Sequence, residues 1–436
     1  MYPRQTKIYT VLFLIVVIIY CFVRDTHIEA QYCGDLRNRI VGARLQLDKQ
    51  LPYFYKWQAK DGLRYYDPQN FDSLRVANIT ASPFMHELLY PLAELPQRDI
   101  SFIWLICEYL MLIIMLLLAL QLCKTNRQLI ATTIISSLFL FTNSWIQHIA
   151  GGQIYLILPF LSMLFYVFIK SKYRISIFFA GLCAIALIAI RPTYLFFFIP
   201  FLLMIIKFKW QQILVFFLAP MLLIGYIVCN KQERLFWQDY KNGITEQLKL
   251  HQDLSPVKQI NTISPNLRFW EGYDMEAVKV TVSKYPLEIK TLNNNFFIIY
   301  KSIFHKKIAA GDLNFISLAL ILVLFSFMLY KSGITYVPSV TTIALFSFSC
   351  YMLSDFLSPI HRHQYNAVVW LFPLLVVAIN YKKNWALFTT ILLICLIANI
   401  TIFSSIVLYK FSEYLIWLII MIVSFTELNI LKRYKG

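Results

Sequence analysis

Four places in this chain carry side chains suited to chemistry: Asp35, Gln153, Arg191 and the run His361-Arg362-His363. The run lies in the segment 354–366, the densest polar cluster on any short turn between apolar stretches. An arginine there supplies fixed charge and a planar fork that matches phosphate oxygens. Flanking histidines add a proton that titrates near neutrality. Together they suit a monophosphate or diphosphate leaving group, and a merely solvated turn is the other reading. The cluster lacks the carboxylate–histidine spacing of a metal site, and no metal is expected.

Arg191 precedes Pro192 between two barely membrane-long stretches. An arginine at that depth must face a cavity, an anion or the interface. It reads either as a snorkelling side chain or as a phosphate clamp. Asp35 opens a segment in which Leu36, Ile40, Ala43 and Leu47 recur at helical spacing. That spacing predicts an amphipathic helix lying in the membrane interface, with Arg37 and Arg44 on its other faces. Two readings of Asp35 stand. It caps the helix, which needs only a side-chain oxygen, or it takes a proton from an acceptor hydroxyl.

Gly151-Gly152-Gln153 predicts a turn at which backbones approach closely, or one that presents an amide to a sugar hydroxyl. Ser82-Pro83 predicts the start of a second interfacial helix that ends before Pro96. His86-Glu87 reads as a proton-transfer pair or as solvated polar residues. Asp239, Asp253, Arg268, Glu271 and Asp274 lie with Trp270 and Tyr273 in a later segment, a weak sign of a sugar site.

These residues must be positioned by a membrane protein, because 59% of the chain is hydrophobic. The expected fold is an all-α polytopic membrane protein. Twelve spans are expected near 8–23, 101–122, 129–147, 154–169, 175–190, 193–206, 213–229, 313–330, 336–354, 367–380, 385–408 and 412–430. Every second loop is basic, at Lys124–Arg127, Lys170 to Arg174, Lys207–Lys209, Lys331 and Lys382–Lys383. That pattern puts both termini in the cytoplasm. Much of the +17 net charge sits on that face, where topology and anionic lipid account for it better than nucleic acid does. Residues 1–436 read as one integral membrane domain, with large outer segments at 24–100 and 230–312. The first apolar stretch has no cleavage site after it and reads as a retained span. The eight cysteines show no metal or disulfide spacing.

In this order the pieces resemble the GT-C class of polyprenyl-phosphate-sugar-dependent glycosyltransferases, and most of all family 87. The matches are Asp35 with Pro52-Tyr53, Tyr90-Pro91 with Leu95-Pro96, Gly152-Gln153, Arg191-Pro192, and Ser358-Pro359 followed by His361 and His363. Leu92 stands where the family has a second proline, and Arg191 where lysine is commoner. The resemblance spans residues 8 to about 380. It implies transfer of a sugar from a polyprenyl-phosphate donor to a glycolipid or glycan acceptor on the outer side of a cell membrane. Asp35 would act as base, with inversion at the anomeric carbon. Arg191, His361, Arg362 and His363 would hold the departing phosphate. Tyr53, Tyr90 and Gln153 would contact substrate, and no cofactor is expected. The rivals are a polysaccharide polymerase or ligase, and a transporter or flippase for lipid-linked sugars. Transporters often carry internal repeats and mid-membrane charges, whereas here no repeat is seen and Glu108 is the main mid-span ionisable residue.

Overall fold

A computed structural model describes residues 4–29, 33–68, 76–171, 173–205, 209–253, 267–277, 295–296, 300, 303–306, 308–332, 338–358, 362–400 and 406–433. The described chain is almost all helix. α1 (Arg4–Glu29), α2 (Gly34–Leu47), α3 (Pro83–Leu89), α4 (Gln97–Leu122), α5 (Asn126–Leu140) and α6 (Asn143–Gly151) form the first part. α7 (Ile157–Lys170), α8 (Arg174–Ile190), the short α9 (Leu195–Phe198) and α10 (Leu202–Ile205), α11 (Trp210–Cys229) and α12 (Lys231–Asp253) follow. α13 (Ala310–Ser332), α14 (Val340–Phe356), α15 (Leu371–Ile379), α16 (Ala386–Ala398) and α17 (Ile406–Arg433) complete it. Among the described residues, one hairpin pairs β1 (Phe269–Trp270) with β2 (Tyr273–Asp274).

Among the described residues, four helical stretches are long and apolar enough to cross a membrane: Gln5–His27, Gln97–Leu122, Trp210–Cys229 and Gly311–Tyr330. Shorter apolar helices of 10–17 residues accompany them. This is a multi-pass helical membrane protein, and apolar residues from Leu14 to Val423 share one core. Three of the expected spans are interrupted. The first interruption, in the expected span 129–147, follows Phe141, because Thr142 caps a new helix. Its hydroxyl accepts from Trp145 N at 3.3 Å and donates to Phe139 O at 2.6 Å. The expected span 193–206 divides into a 3-10 turn, α9 and α10. The expected span 385–408 stops at Asn399. The first and last of these breaks dock together, as Asn143 N donates to Asn399 O at 2.7 Å.

The helix expected at Asp35 is present as α2, but it does not lie on a lipid surface. Arg37, Arg39, Arg44 and Gln46 are buried along with Leu36, Ile40 and Ala43. A helix buried all round belongs to a core, and its cations are paired within the protein. Arg37 meets Asp67 at 2.9 Å and Arg44 meets Glu271 at 2.7 Å. Arg44 also donates to Ala93 O, Arg64 O and Leu95 O. Glu271, at the hairpin tip, further accepts from Gln97 N at the start of α4, at 2.9 Å. The carboxylate therefore satisfies an orphan donor of that helix. The two large segments are joined elsewhere as well, by Tyr53 N to Asp239 at 3.1 Å and Gln247 to Ala77 O at 3.2 Å.

α3 begins as its sequence predicts, with Ser82 accepting from Met85 N and Pro83 in the first turn. The ends of the basic loops meet one another. Tyr166 OH lies 2.9 Å from Thr341 Oγ1, and Asn380 donates to Tyr166 OH at 3.3 Å. The turns that carry Asp35, Gln153, Arg191 and His363 are gathered at another place in the bundle.

Candidate active site

The first turn of α2 meets the C-terminal turn of α6. Gly152 closes α6 in the left-handed conformation at φ 57°. A Cβ there would come within 2.7 Å of Leu36 Cβ and 2.8 Å of Cys33 Cβ. Only glycine allows both the conformation and the approach. The close contact read from Gly151-Gly152-Gln153 is therefore real, and it delivers Gln153 to Asp35.

Asp35 does not cap α2, since Cys33 occupies that position. It sits in the first helical turn, where the helix dipole favours a carboxylate. One of its oxygens accepts from the Gln153 side-chain amide. The carbonyl of the same amide accepts from Arg39 at 2.8 Å, and Arg39 also donates to Gly152 O at 3.0 Å. Asp35 is half-buried, while Arg39 and Gln153 are buried.

Behind this turn lies a second polar layer. Trp104 Nε1 donates to Gln153 O at 3.2 Å and to Glu108 at 3.1 Å. Glu108 faces His148 Nε2 at 2.8 Å. The mid-span carboxylate is thus a packed partner inside the bundle, as intramembrane ionisable groups require. Deeper still, Asp25 accepts from Tyr109 OH and Trp145 Nε1, both at 2.7 Å.

Arg191 ends α8 and reaches across the bundle to the end of α14. It donates to one oxygen of Asp355, while Arg362 donates to the other. Arg362 also donates to Glu413, which accepts from Trp370 Nε1 at 2.8 Å as well. The four charges alternate and cancel. Their exposures differ: the Arg191 side chain is 24% exposed and Arg362 only 3%. Arg362 is therefore shut between two carboxylates, and Arg191 is the more exposed end of the chain. Arg191 is not a lipid-facing snorkel either. Its guanidinium lies 5.2 Å from the Tyr155 ring centre and 5.9 Å from that of Tyr351.

A ladder of rings runs on from Arg191. Tyr155 stacks on Tyr365 with centres 5.7 Å apart, and Tyr365 stacks on His363 at 5.1 Å. Burial lowers the His363 pKa below its ordinary value, opposed by the charge of Asp35. The carboxylate and the ladder thus share one electrostatic neighbourhood. Arg191, Tyr155, Tyr365, His363 and Asp35 are all half-buried. His361 lies outside the described residues.

Two other residues expected to contact substrate, Tyr53 and Tyr90, have partners within the protein. Tyr53 is 1% exposed, its hydroxyl donates to Ala81 O at 2.6 Å, and its ring packs on His86 and Tyr240. Tyr90 is half-buried, shares a side-chain hydrogen bond with Gln46 and lies beside Glu87 and Glu233. His86 is not a proton donor to Glu87. Burial, then the charge of Arg39, push it down to about 3, and its Nδ1 lies 3.2 Å from Gln46 Oε1. Glu87 instead shares a hydrogen bond with Glu233 of α12. Burial, then this neighbour, push it up to about 8.

The residues that sequence reasoning passed over are Arg39, Tyr155 and Tyr365. Arg39 alone left a signal, standing four positions after Asp35 on one helical face.

Residues 80–264 match the family model of glycosyltransferase family 87. Neither the curated proteins nor the solved structures give a match. The matched stretch holds Gln153, Tyr155 and Arg191. Asp35 lies before it, and Arg362 and His363 after it.

Proposed function

We propose that this chain, a membrane glycosyltransferase of family 87 by its match over residues 80–264, moves a sugar from a polyprenyl phosphate to a lipid-linked or polysaccharide acceptor, with inversion. Transfer takes place on the outer face of a cell membrane. The chain is one integral domain with twelve crossings, cytoplasmic termini and outer segments at 24–100 and 230–312.

The observation that carries this reading is that the charge of Asp35 acts on His363 and Tyr365, the far rings of the Arg191–Tyr155–Tyr365–His363 ladder. A base and a phosphate-binding group must flank the anomeric carbon from opposite sides. Asp35 takes the proton from the acceptor hydroxyl as that oxygen attacks the anomeric carbon. The bond from that carbon to the phosphate oxygen breaks, and the lipid phosphate leaves with the electron pair. Arg191 is the accessible cation that receives it. His363 is held neutral by burial and donates a hydrogen bond. An arriving phosphate raises its proton affinity by adding negative charge nearby. Arg362 acts through Asp355, whose one oxygen it engages while the other accepts from Arg191. His361, two positions before His363 in the sequence, keeps the same expected role. Tyr53 and Tyr90 shape the first outer segment and take no part at the anomeric carbon. The family match favours transfer over a flippase that only moves its lipid.

The test uses the full chain in nanodiscs, a panel of farnesyl-phosphate hexoses and octyl glycosides as acceptors. A product should form from a farnesyl-phosphate donor and not from nucleotide sugars. NMR should find its anomeric configuration opposite to that of the donor. Retained configuration, or transfer from a nucleotide sugar, overturns the reading.

A further inference from the structure

We infer that Arg39 is a positioning residue for transfer: it dictates which end of the Gln153 amide faces Asp35. The inference rests on the reading of Asp35 as the base and deepens it.

A glutamine amide has two ends of similar shape and opposite character. Turned one way it donates to Asp35; turned the other it sets oxygen against carboxylate. Arg39 removes the choice, because a guanidinium only donates. Its Nη2 lies 2.8 Å from Gln153 Oε1 and its Nη1 lies 3.0 Å from Gly152 O. The oxygen end is thereby committed to Arg39, and Nε2 is left for one Asp35 oxygen. The other carboxylate oxygen stays available to take a proton.

Three further facts keep this arrangement rigid. Arg39 is only 5% exposed, so water does not compete for its donors. Asp35 and Arg39 share one face of α2, a turn apart, so neither moves without the other. The Gly152 turn is pressed on Cys33 and Leu36, which fixes the height of Gln153 against the helix. A lysine at 39 keeps the charge but loses the fork that holds two acceptors at once.

The experiment is a double-mutant cycle on the full chain in nanodiscs, with the farnesyl-phosphate hexose that the panel above finds active. Misaligning a catalytic group costs on the order of 100-fold in rate. Arg39→Lys and Gln153→Ala should each lower kcat by about 10- to 100-fold and leave the donor KM within about 2-fold. The double variant should be no worse than the worse single one, since Arg39 acts through Gln153. Parent kcat in Arg39→Lys overturns the inference, and so does a double loss equal to the product of the single losses. A separate arm uses Asp35→Asn. If that variant turns over like the parent, the base reading has failed, and the Arg39 inference falls with it. If it is inactive while Arg39→Lys is unaffected, only the Arg39 inference has failed. Should Arg39→Lys not fold, Gln153→Glu gives the same test on an unaltered α2. Arg39 then holds one oxygen of the new carboxylate and turns the other on Asp35. Its kcat should fall below that of Gln153→Ala, and an equal kcat overturns the inference.

Discussion

Gln153 and Asp35 stand 118 positions apart in the chain, and the side-chain amide of the first donates to the carboxylate of the second. Everything at this junction depends on two short turns that dock without a gap. Gly152→Ala tests that dependence. The left-handed conformation costs an ordinary residue about 1–2 kcal/mol, and the new Cβ would strike Leu36 and Cys33. Transfer should fall at least about 10-fold, with helix content by circular dichroism unchanged. Parent activity in Gly152→Ala would mean that the junction tolerates separation.

Arg191 and Arg362 share Asp355, yet their variants should fail differently. Removing one partner of a buried ion pair costs about 3–5 kcal/mol. Arg362→Ala leaves both Asp355 and Glu413 short of a cation and should lower the melting temperature clearly. Arg191→Ala should unfold nearly as the parent does but raise the donor KM at least about 10-fold. A stable Arg362→Ala with a raised donor KM would return the phosphate to Arg362.

The alternation of basic loops predicts sidedness. In a cysteine-free variant, Gln50→Cys should react with an impermeant maleimide added to intact cells. Lys124→Cys and Tyr173→Cys, both at exposed positions, should react only after lysis. Labelling of Tyr173→Cys in intact cells would invert the proposed orientation or remove a crossing.

The Glu87–Glu233 contact predicts a pH dependence of stability. Glu87 is pushed up to about 8 in the folded protein, against 4.5 for the ordinary group. The folded state therefore holds a proton that the unfolded chain has lost. Between pH 4.5 and 8, stability falls as pH rises, and below 4.5 the contact has no effect of this kind. Glu87→Gln keeps the hydrogen bond without the titration. Its melting temperature should exceed the parent's at pH 8 and approach it near pH 5. The same difference at both pH values would contradict the shared proton.

Much of the framework was legible because it depends on local sequence. Apolar runs give α1, α4, α11 and α13, and Ser82-Pro83 gives the start of α3. Gly152 announces a close approach by its type alone. What was hidden depends on partners far along the chain. Arg37 and Arg44 look like a polar helix face until Asp67 and Glu271 arrive to bury them. The breaks at Thr142 and Asn399 support each other, so neither half of the sequence reveals them. Arg362 looked like the strongest anion site on its turn, and nothing near it in sequence announces Glu413, fifty-one positions later, as its hydrogen-bond partner. Tyr155 and Tyr365 are ordinary interface residues in sequence and become a ladder only in three dimensions.

The central claim is that the Asp35 carboxylate accepts the proton of the attacking hydroxyl. The most direct measurement is single-turnover transfer by purified Asp35→Asn in nanodiscs, with the farnesyl-phosphate hexose saturating and the fold checked by thermal unfolding. Asparagine keeps the size of the side chain and removes the proton acceptor. The account predicts a rate about 100- to 10,000-fold below the parent, with donor binding unchanged. A single-turnover rate equal to the parent's would show that the carboxylate is only part of the junction and that another group takes the proton.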